Sequence, residues 1–334
     1  MKKLNDLFWI TISCIKGVGN KTVIELYENY PMLNFDNLNE HINTINKKSL
    51  IKLLTVENIE FAKKRAENLV KSHEEKKIKV IPISSEVYPK YLRLIEDPPT
   101  VLYAKGNIEL LKEKNTLAIV GTREPTVIGV KAAQKIAATF AKMGYTIVSG
   151  LALGIDTAGH EGALKVQNGK TIAVMAGDLI QIYPAKNKEL AMEILERNGL
   201  WLSETPIGQA NTRGNFVKRD RIQSGLSLGV CPVQTPIKSG TQHTIEFARK
   251  QKRYLFTPIP LKQDEQENAV QGNIVLIENG IAVLKDKESY ELIHKELTEY
   301  KLRLDTEHKE RFEKVKTSKQ ILNEHIEQLN MFDL

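Results

Sequence analysis

Hydrophobic residues follow two rhythms along this chain. Short apolar runs that end on glycine or a polar turn read as buried strands, and stretches with apolar residues three and four apart read as helices. The alternation is plainest over residues 116–160. Residues 117–120 form an apolar run ending at Gly121, as a buried parallel strand would. Residues 127–143 follow, with Ala132, Ile136, Phe140 and Met143 on one helical face, and Gly144 stops them. A second strand over 145–148 closes at Ser149-Gly150, and another glycine turn, ending at Gly154, leads into a helix at Asp156. Strand, glycine turn and helix, repeated, predict a doubly wound α/β sheet whose turns sit at the carboxyl ends of the strands. Helix N-termini there offer N–H groups to anions, so Gly121, Thr122, Ser149, Gly150 and Gly154 are expected to contact phosphate.

The pattern continues with strands at 171–175, 200–203, 230–234 and 254–256, separated by helices over 156–167, 187–197, 217–227 and 241–251. Two more apolar runs, 274–277 and 281–284, are expected to finish the sheet, and strands at 78–83 and 101–104 precede its core. Residues 1–75 show only helical spacing. Within them Ile15-Lys16-Gly17-Val18-Gly19-Asn20-Lys21-Thr22 joins two helices and resembles a helix-hairpin-helix turn, which aims backbone N–H groups at phosphate; an ordinary tight helix connection has the same spacing. From Lys285 onward there is no Gly or Pro, and apolar residues at helical spacing (Leu292, Ile293, Leu297, Tyr300, then Phe312, Val315, Ile321, Leu322) predict one or two solvated helices. Three parts result: a helical domain over 1–75, an α/β domain over 76–285, and a charged helical tail over 286–334.

Charge changes the picture modestly. Against 41 acidic residues stand 48 Lys and Arg, a net +7, which favours a polyanionic partner without requiring one. The two cysteines, Cys14 and Cys231, lie far apart, the histidines have no metal-ligand spacing, and no metal or cofactor is expected. The start is read as a first helix rather than a signal peptide, because Asp6 interrupts a short apolar run. No stretch reaches membrane-spanning length, and a cytoplasmic protein is expected.

Several residues at the predicted carboxyl edge suit an anion. Arg123 follows the first core strand, where a guanidinium can grip phosphate bidentately. Lys186 and Asn187 open a helix after the third core strand, with Asn187 also a natural cap. Phe216-Val217-Lys218-Arg219-Asp220-Arg221 is the most basic cluster, joining Lys218, Arg219 and Arg221 to an aromatic suited to base stacking; a solvated turn with Phe216 in the core has the same composition. Lys238-Ser239-Gly240-Thr241 precedes another helix, for phosphate contact or for capping. There is no phosphate-binding Walker sequence, no GxSxG elbow and no nucleophile–base–orienter set; Asp156 reads as a cap or a partner to a nearby cation.

Taken together, these segments resemble the DprA/Smf family of DNA-processing proteins. The likeness spans residues 80–260 and is carried by Tyr88-Pro89, Asp97-Pro98-Pro99-Thr100, Val120-Gly121-Thr122-Arg123, Ser149-Gly150-Leu151-Ala152-Leu153-Gly154-Ile155-Asp156 with His160, Tyr183-Pro184 with Asn187, Leu202-Ser203-Glu204, and Ser239-Gly240-Thr241. The resemblance implies an extended Rossmann-like fold with an N-terminal helix-hairpin-helix or SAM-like domain. It implies a non-catalytic protein that binds single-stranded DNA and loads the RecA recombinase during DNA uptake and natural transformation, usually as a homodimer. The family's DNA pocket maps onto Arg123, Lys186, Phe216, Lys218, Arg219 and Arg221. Asp220 stands where the family usually has Asn, Val217 where it has Pro, and the frequent C-terminal winged helix is replaced by a charged helical tail. A divergent member in a defence or mobile-element context is one consequence of these departures. The alternative is a Rossmann-like nucleotide sensor; nucleotide cleavage is disfavoured because Ser239-Gly240-Thr241-Gln242-His243-Thr244 lacks the required glycines and acids. Finally, Gln328, Leu329, Met331 and Phe332 resemble the short peptide by which bacterial DNA-metabolism proteins bind the polymerase sliding clamp. The same apolar residues also suit folding back onto the protein's own helices.

Overall fold

A computed structural model describes residues 2–330 apart from 43, 44 and 46, with side chains described from 5 to 312. Five helices come first: α1 (Lys2–Cys14), α2 (Asn20–Asn29), α3 (Leu38–His41), α4 (Lys48–Ile51) and α5 (Val56–Glu74). Strands β1 (Lys79–Pro82) and β2 (Val101–Gly106) follow, then the alternating region: β3 (Thr116–Val120), α6 (Val127–Lys142), β4 (Thr146–Ser149), α7 (Ile155–Leu164), β5 (Thr171–Met175), α8 (Lys188–Glu196), β6 (Leu200–Ser203), α9 (Arg213–Leu226), β7 (Gly229–Pro232), α10 (Thr241–Lys250) and β8 (Tyr254–Pro258). The chain continues through α11 (Asn268–Glu278), β9 (Ala282–Leu284) and α12 (Lys287–Asn330).

All nine strands form one sheet in the order β1-β2-β6-β5-β4-β3-β7-β8-β9. β1 and β2 run antiparallel to their neighbours, and the rest are parallel. The order steps outward from β3 through β4, β5 and β6 on one side and through β7, β8 and β9 on the other. The β3/β7 junction is therefore the switch point at which a doubly wound sheet opens a crevice beyond its strand ends. β3, β4, β5, β6 and β7 are buried along their whole length, which is why they read as unbroken apolar runs.

Three expectations need correction. The apolar run at 274–277 is helix, inside α11, not strand. Its inner face carries Ala269, Val270, Gly272, Asn273 and Leu276, while Val275 is exposed. The buried Asn273 amide donates to the Pro232 carbonyl (2.9 Å) and the Thr257 hydroxyl (2.7 Å). Small and polar residues on the packed face hide the helical period from a hydrophobic count. Second, α9 starts at Arg213, a turn earlier than expected, with Thr212 as its extended N-cap residue, so Phe216 lies in the helix together with the basic residues expected there. Third, the first half of α12 is not a free tail: one face is packed, with Ile293, Leu297 and Leu304 buried with Phe140, Tyr145 and Phe256, while Leu292 and most of the other residues face out.

The helices of the first 74 residues share an apolar cluster with the sheet, in which Phe8, Trp9 and Tyr27 meet Ile81, Leu102 and Leu202. Among the described residues no helix is long and apolar enough to cross a membrane. Met331 and Phe332 lie outside the described residues, as do the side chains of Gln328 and Leu329.

Candidate nucleic-acid interface

The turns after β3 and β7, the N-termini of α7 and α10 and one side of α9 enclose a crevice of about 500 Å³ at the switch point. Gly121 is required there: a Cβ would lie 2.6 Å from Ile155 and 2.7 Å from the Gln234 carbonyl. Gly154 takes φ +81°, and a Cβ on it would press on the Thr122 carbonyl at 2.5 Å. These glycines bring the two turns together. They do not leave every amide open to a ligand, because Thr122 N–H already donates to the Gln234 carbonyl at 2.8 Å.

Arg123 projects into this crevice, exposed and without an ion pair among the described residues. Its guanidinium lies over the Phe216 ring, 5.6 Å from the centroid. Phe216 in turn meets Tyr183 edge-on at 5.6 Å, and Tyr183 is 56% exposed. A cation and two rings thus form one surface, walling a small cleft beside the crevice. Across the crevice, exposed Lys238 stands beside Gly240 and Thr241 at the start of α10, where the helix dipole favours an anion. The Ser239 hydroxyl is paired with that of Thr235 at 2.8 Å. Nothing in the sequence marks Tyr183 as a stacking residue, because Tyr-Pro there signals only a turn.

Other expected contacts are committed to the fold. Ser149 is fully buried, and its hydroxyl donates to the Ile119 carbonyl at 2.7 Å. The Gly150 amide donates to the Asp156 carboxylate at 3.1 Å, joined by the Ala152 amide at 3.4 Å. Asn187 is buried and ties turns together, its amide donating to the Leu151 carbonyl (2.8 Å) and the Thr157 hydroxyl (2.9 Å). Arg221 is buried, forks onto Glu204 with two contacts of 2.8 Å, and reaches Asp97 at 3.2 Å. The polar groups of these four thus have partners within the fold, although Gly150 itself borders the small cleft. Lys186 is exposed but does not line the crevice, and Lys218 faces a different groove.

Arg219 is intermediate. It is 7% exposed, lines the crevice, donates to the Val174 carbonyl at 2.9 Å, and pairs with Asp220 at 3.1 Å and Asp156 at 4.0 Å. Burial pushes the Asp220 carboxyl up to about 6 against the pull of Arg219, with Asp156 adding to the rise. Burial likewise raises Asp156 and outweighs Arg219. His160, fully buried on Thr171, is held neutral, its value lowered to about 3 by burial. Among the described residues no group of three or more His, Cys, Asp or Glu side chains is placed to hold a metal ion. The arrangement can grip an anion and stack a planar base.

The fold defines a class: a Rossmann-like α/β protein with a crevice at its switch point. Its sequence from 79 to 296 matches the family model described as DNA recombination-mediator protein A, and the chain belongs to that family, DprA/Smf. It is 34% identical over 299 residues to Protein Smf of Synechocystis, covering 85% of this chain and 71% of that one. The solved DNA processing protein A of Streptococcus pneumoniae superposes with a TM-score of 0.61 at 28% identity, covering 81% of this chain and 96% of that one. DNA processing protein A of Helicobacter pylori, described for its single-stranded DNA binding mode, superposes at 0.57 with 31% identity, over 67% of this chain and 97% of that one.

Proposed function

We propose that the switch-point crevice binds single-stranded DNA with little sequence preference and without catalysis, and that the protein presents the bound strand to a recombinase of the RecA type. The observation that carries this reading is Arg123 lying over Phe216, with Tyr183 against the same ring. The guanidinium, the exposed Tyr183 and the half-buried Phe216 together offer phosphate contact and sequence-tolerant stacking, which an unpaired base can use and a stacked duplex cannot. The family's description as a recombination mediator, and the strand-binding relative from Helicobacter pylori, support the same reading. A homodimer and a clamp contact through Gln328, Leu329, Met331 and Phe332 belong to the proposal as further partners.

The test is titration of labelled single-stranded oligonucleotide, duplex and free nucleotides side by side. The single strand is expected to bind tightest. With Arg221 committed to Glu204, about two phosphates are neutralised in the crevice, giving a salt exponent of about −1.4 and an affinity loss of roughly sevenfold between about 50 and 200 mM salt. Arg123→Ala should weaken binding about tenfold and flatten the slope by about 0.7. Phe216→Ala should weaken it by about tenfold or more with the slope unchanged. Preference for a free nucleotide over the strand would instead favour nucleotide sensing.

A further inference from the structure

The helical N-terminal region docks on the same carboxyl edge of the sheet as the crevice. The tip of its first hairpin, between α1 and α2, makes the contact: the Asn20 amide donates to Glu204 just past β6 (3.3 Å), and its carbonyl oxygen accepts from the Thr100 hydroxyl (3.3 Å). Between hairpin and sheet lies a groove of about 570 Å³. Cations come from both walls. Lys16 and Arg65 on the helical side and Lys218 on α9 are exposed, and none forms an ion pair among the described residues. The acid in the lining, Glu204, is already answered by the Arg221 fork. The floor is partly apolar, with Ile10, Ile15 and Val101 contributing.

This groove adjoins the crevice, with Arg219 between them. Arg219 lines both, and Met175 and Ala176 line both the groove and the small cleft beside Tyr183. A cation-rimmed, apolar-floored channel that starts at a stacking platform has the chemistry of a single-strand track, with phosphates on the rim and bases over the floor.

We propose that a single strand seated in the crevice runs on past Arg219 into this groove, its phosphates meeting Lys218, Lys16 and Arg65, so that the helical region is part of the nucleic-acid site. The proposal rests on the crevice reading and extends it to a second segment of the same strand.

Two single-stranded oligonucleotides, of about 6 and about 20 nucleotides, separate the two claims when titrated against the full chain. The Lys16→Gln/Arg65→Gln variant should bind the longer strand about tenfold more weakly, with a salt exponent smaller by about 1.4, and the shorter strand as wild type does. Lys16→Arg/Arg65→Lys should restore the longer strand's affinity. Both positions are exposed, and a thermal unfolding profile equal to wild type certifies the fold of each variant. Unchanged binding of the longer strand, or equal loss for both lengths, overturns the groove; if Arg123→Ala still weakens both strands, the crevice stands without it. Displacement of the longer strand by polyglutamate as effectively as by unlabelled DNA also overturns it, pointing to an acidic-peptide groove. Failure of the wild-type chain to bind either strand removes crevice and groove together.

Discussion

Arg219 shows how little a residue's type says about its role. Its guanidinium lies so close to Gly150 that a Cβ there would sit 1.5 Å from Nη1. Gly150 is therefore a glycine because an arginine passes over it. Gly150→Ala should displace Arg219 from Val174 and from both aspartates, at a cost of about 3 kcal/mol or more, read from urea unfolding. Asp220, facing Arg219, Asp156 and His243, gives a pH signature. Its folded value of about 6 lies above the ordinary 3.8, so the unfolded chain releases this proton first. Its contribution to stability is then largest at low pH and declines as pH rises through about 4 to 6. The same ionisation places a negative charge in the crevice lining, so strand affinity should fall roughly three- to tenfold from about pH 5 to about pH 7. Asp220→Asn should flatten that dependence when measured by fluorescence anisotropy, in a His243→Gln background that removes the neighbouring imidazole from the comparison. An equally steep profile in that variant would place the titration elsewhere.

At the scale of the element, α9 organises the site. A helix turns about 100° per residue, so positions two apart point to nearly opposite sides. Phe216 joins the stacking surface, Arg219 enters the buried carboxylate cluster, and Arg221 points away to Glu204 and Asp97. Arg221→Ala should leave Glu204 without its charged partner and cost about 3 kcal/mol of stability, while the folded variant's affinity for a strand of about 6 nucleotides, which fills the crevice alone, stays within about twofold. Chemical denaturation and anisotropy on the same sample check both halves. A loss of affinity with unchanged stability would return Arg221 to the ligand. That dense basic cluster was plainly visible in the sequence, but which of its members are already paired was not, because apart from neighbouring Asp220 the acids that answer them come from positions 97, 156 and 204.

The whole molecule is tied together by its ends. The helices of residues 2–74 share an apolar cluster with the sheet, and α12 returns to bury Ile293, Leu297 and Leu304 against it. Asp305 on α12 pairs with Lys90 (3.0 Å) and Lys114 (3.3 Å), and Arg311 pairs with Glu28 on α2. Leu297→Ala should therefore cost about 2–5 kcal/mol, as a core truncation rather than a change in a solvated tail. Calorimetry would show it as a clear fall in Tm, whereas an unchanged Tm would mean that α12 adds little to the fold. For the proposed clamp contact, removing residues 328–334 should abolish binding to a purified sliding clamp, of roughly micromolar strength, and leave strand affinity as it was. Equal clamp affinity with and without those residues would dismiss the contact.

By itself the sequence determined the order and kind of the core elements. β5 and β6 fall where the apolar runs 171–175 and 200–203 place them, because a strand buried on both faces leaves an uninterrupted apolar signature and glycine marks its turn. Arg123's position at the carboxyl edge was legible as well, since it stands three residues past such a strand. What only the tertiary structure decided was partnership. α11 looked like a strand because its packed face is Asn273, Gly272 and Ala269, whose fit depends on carbonyls from β7 and a hydroxyl from β8. Ser149, Gly150, Asn187 and Arg221 looked like ligands because their polar groups are the kind that phosphate uses. An internal partner answers each of them instead, from distant chain for Ser149, Asn187 and Arg221 and from Asp156, six residues on, for Gly150, and a buried polar group with a partner is no longer free to bind.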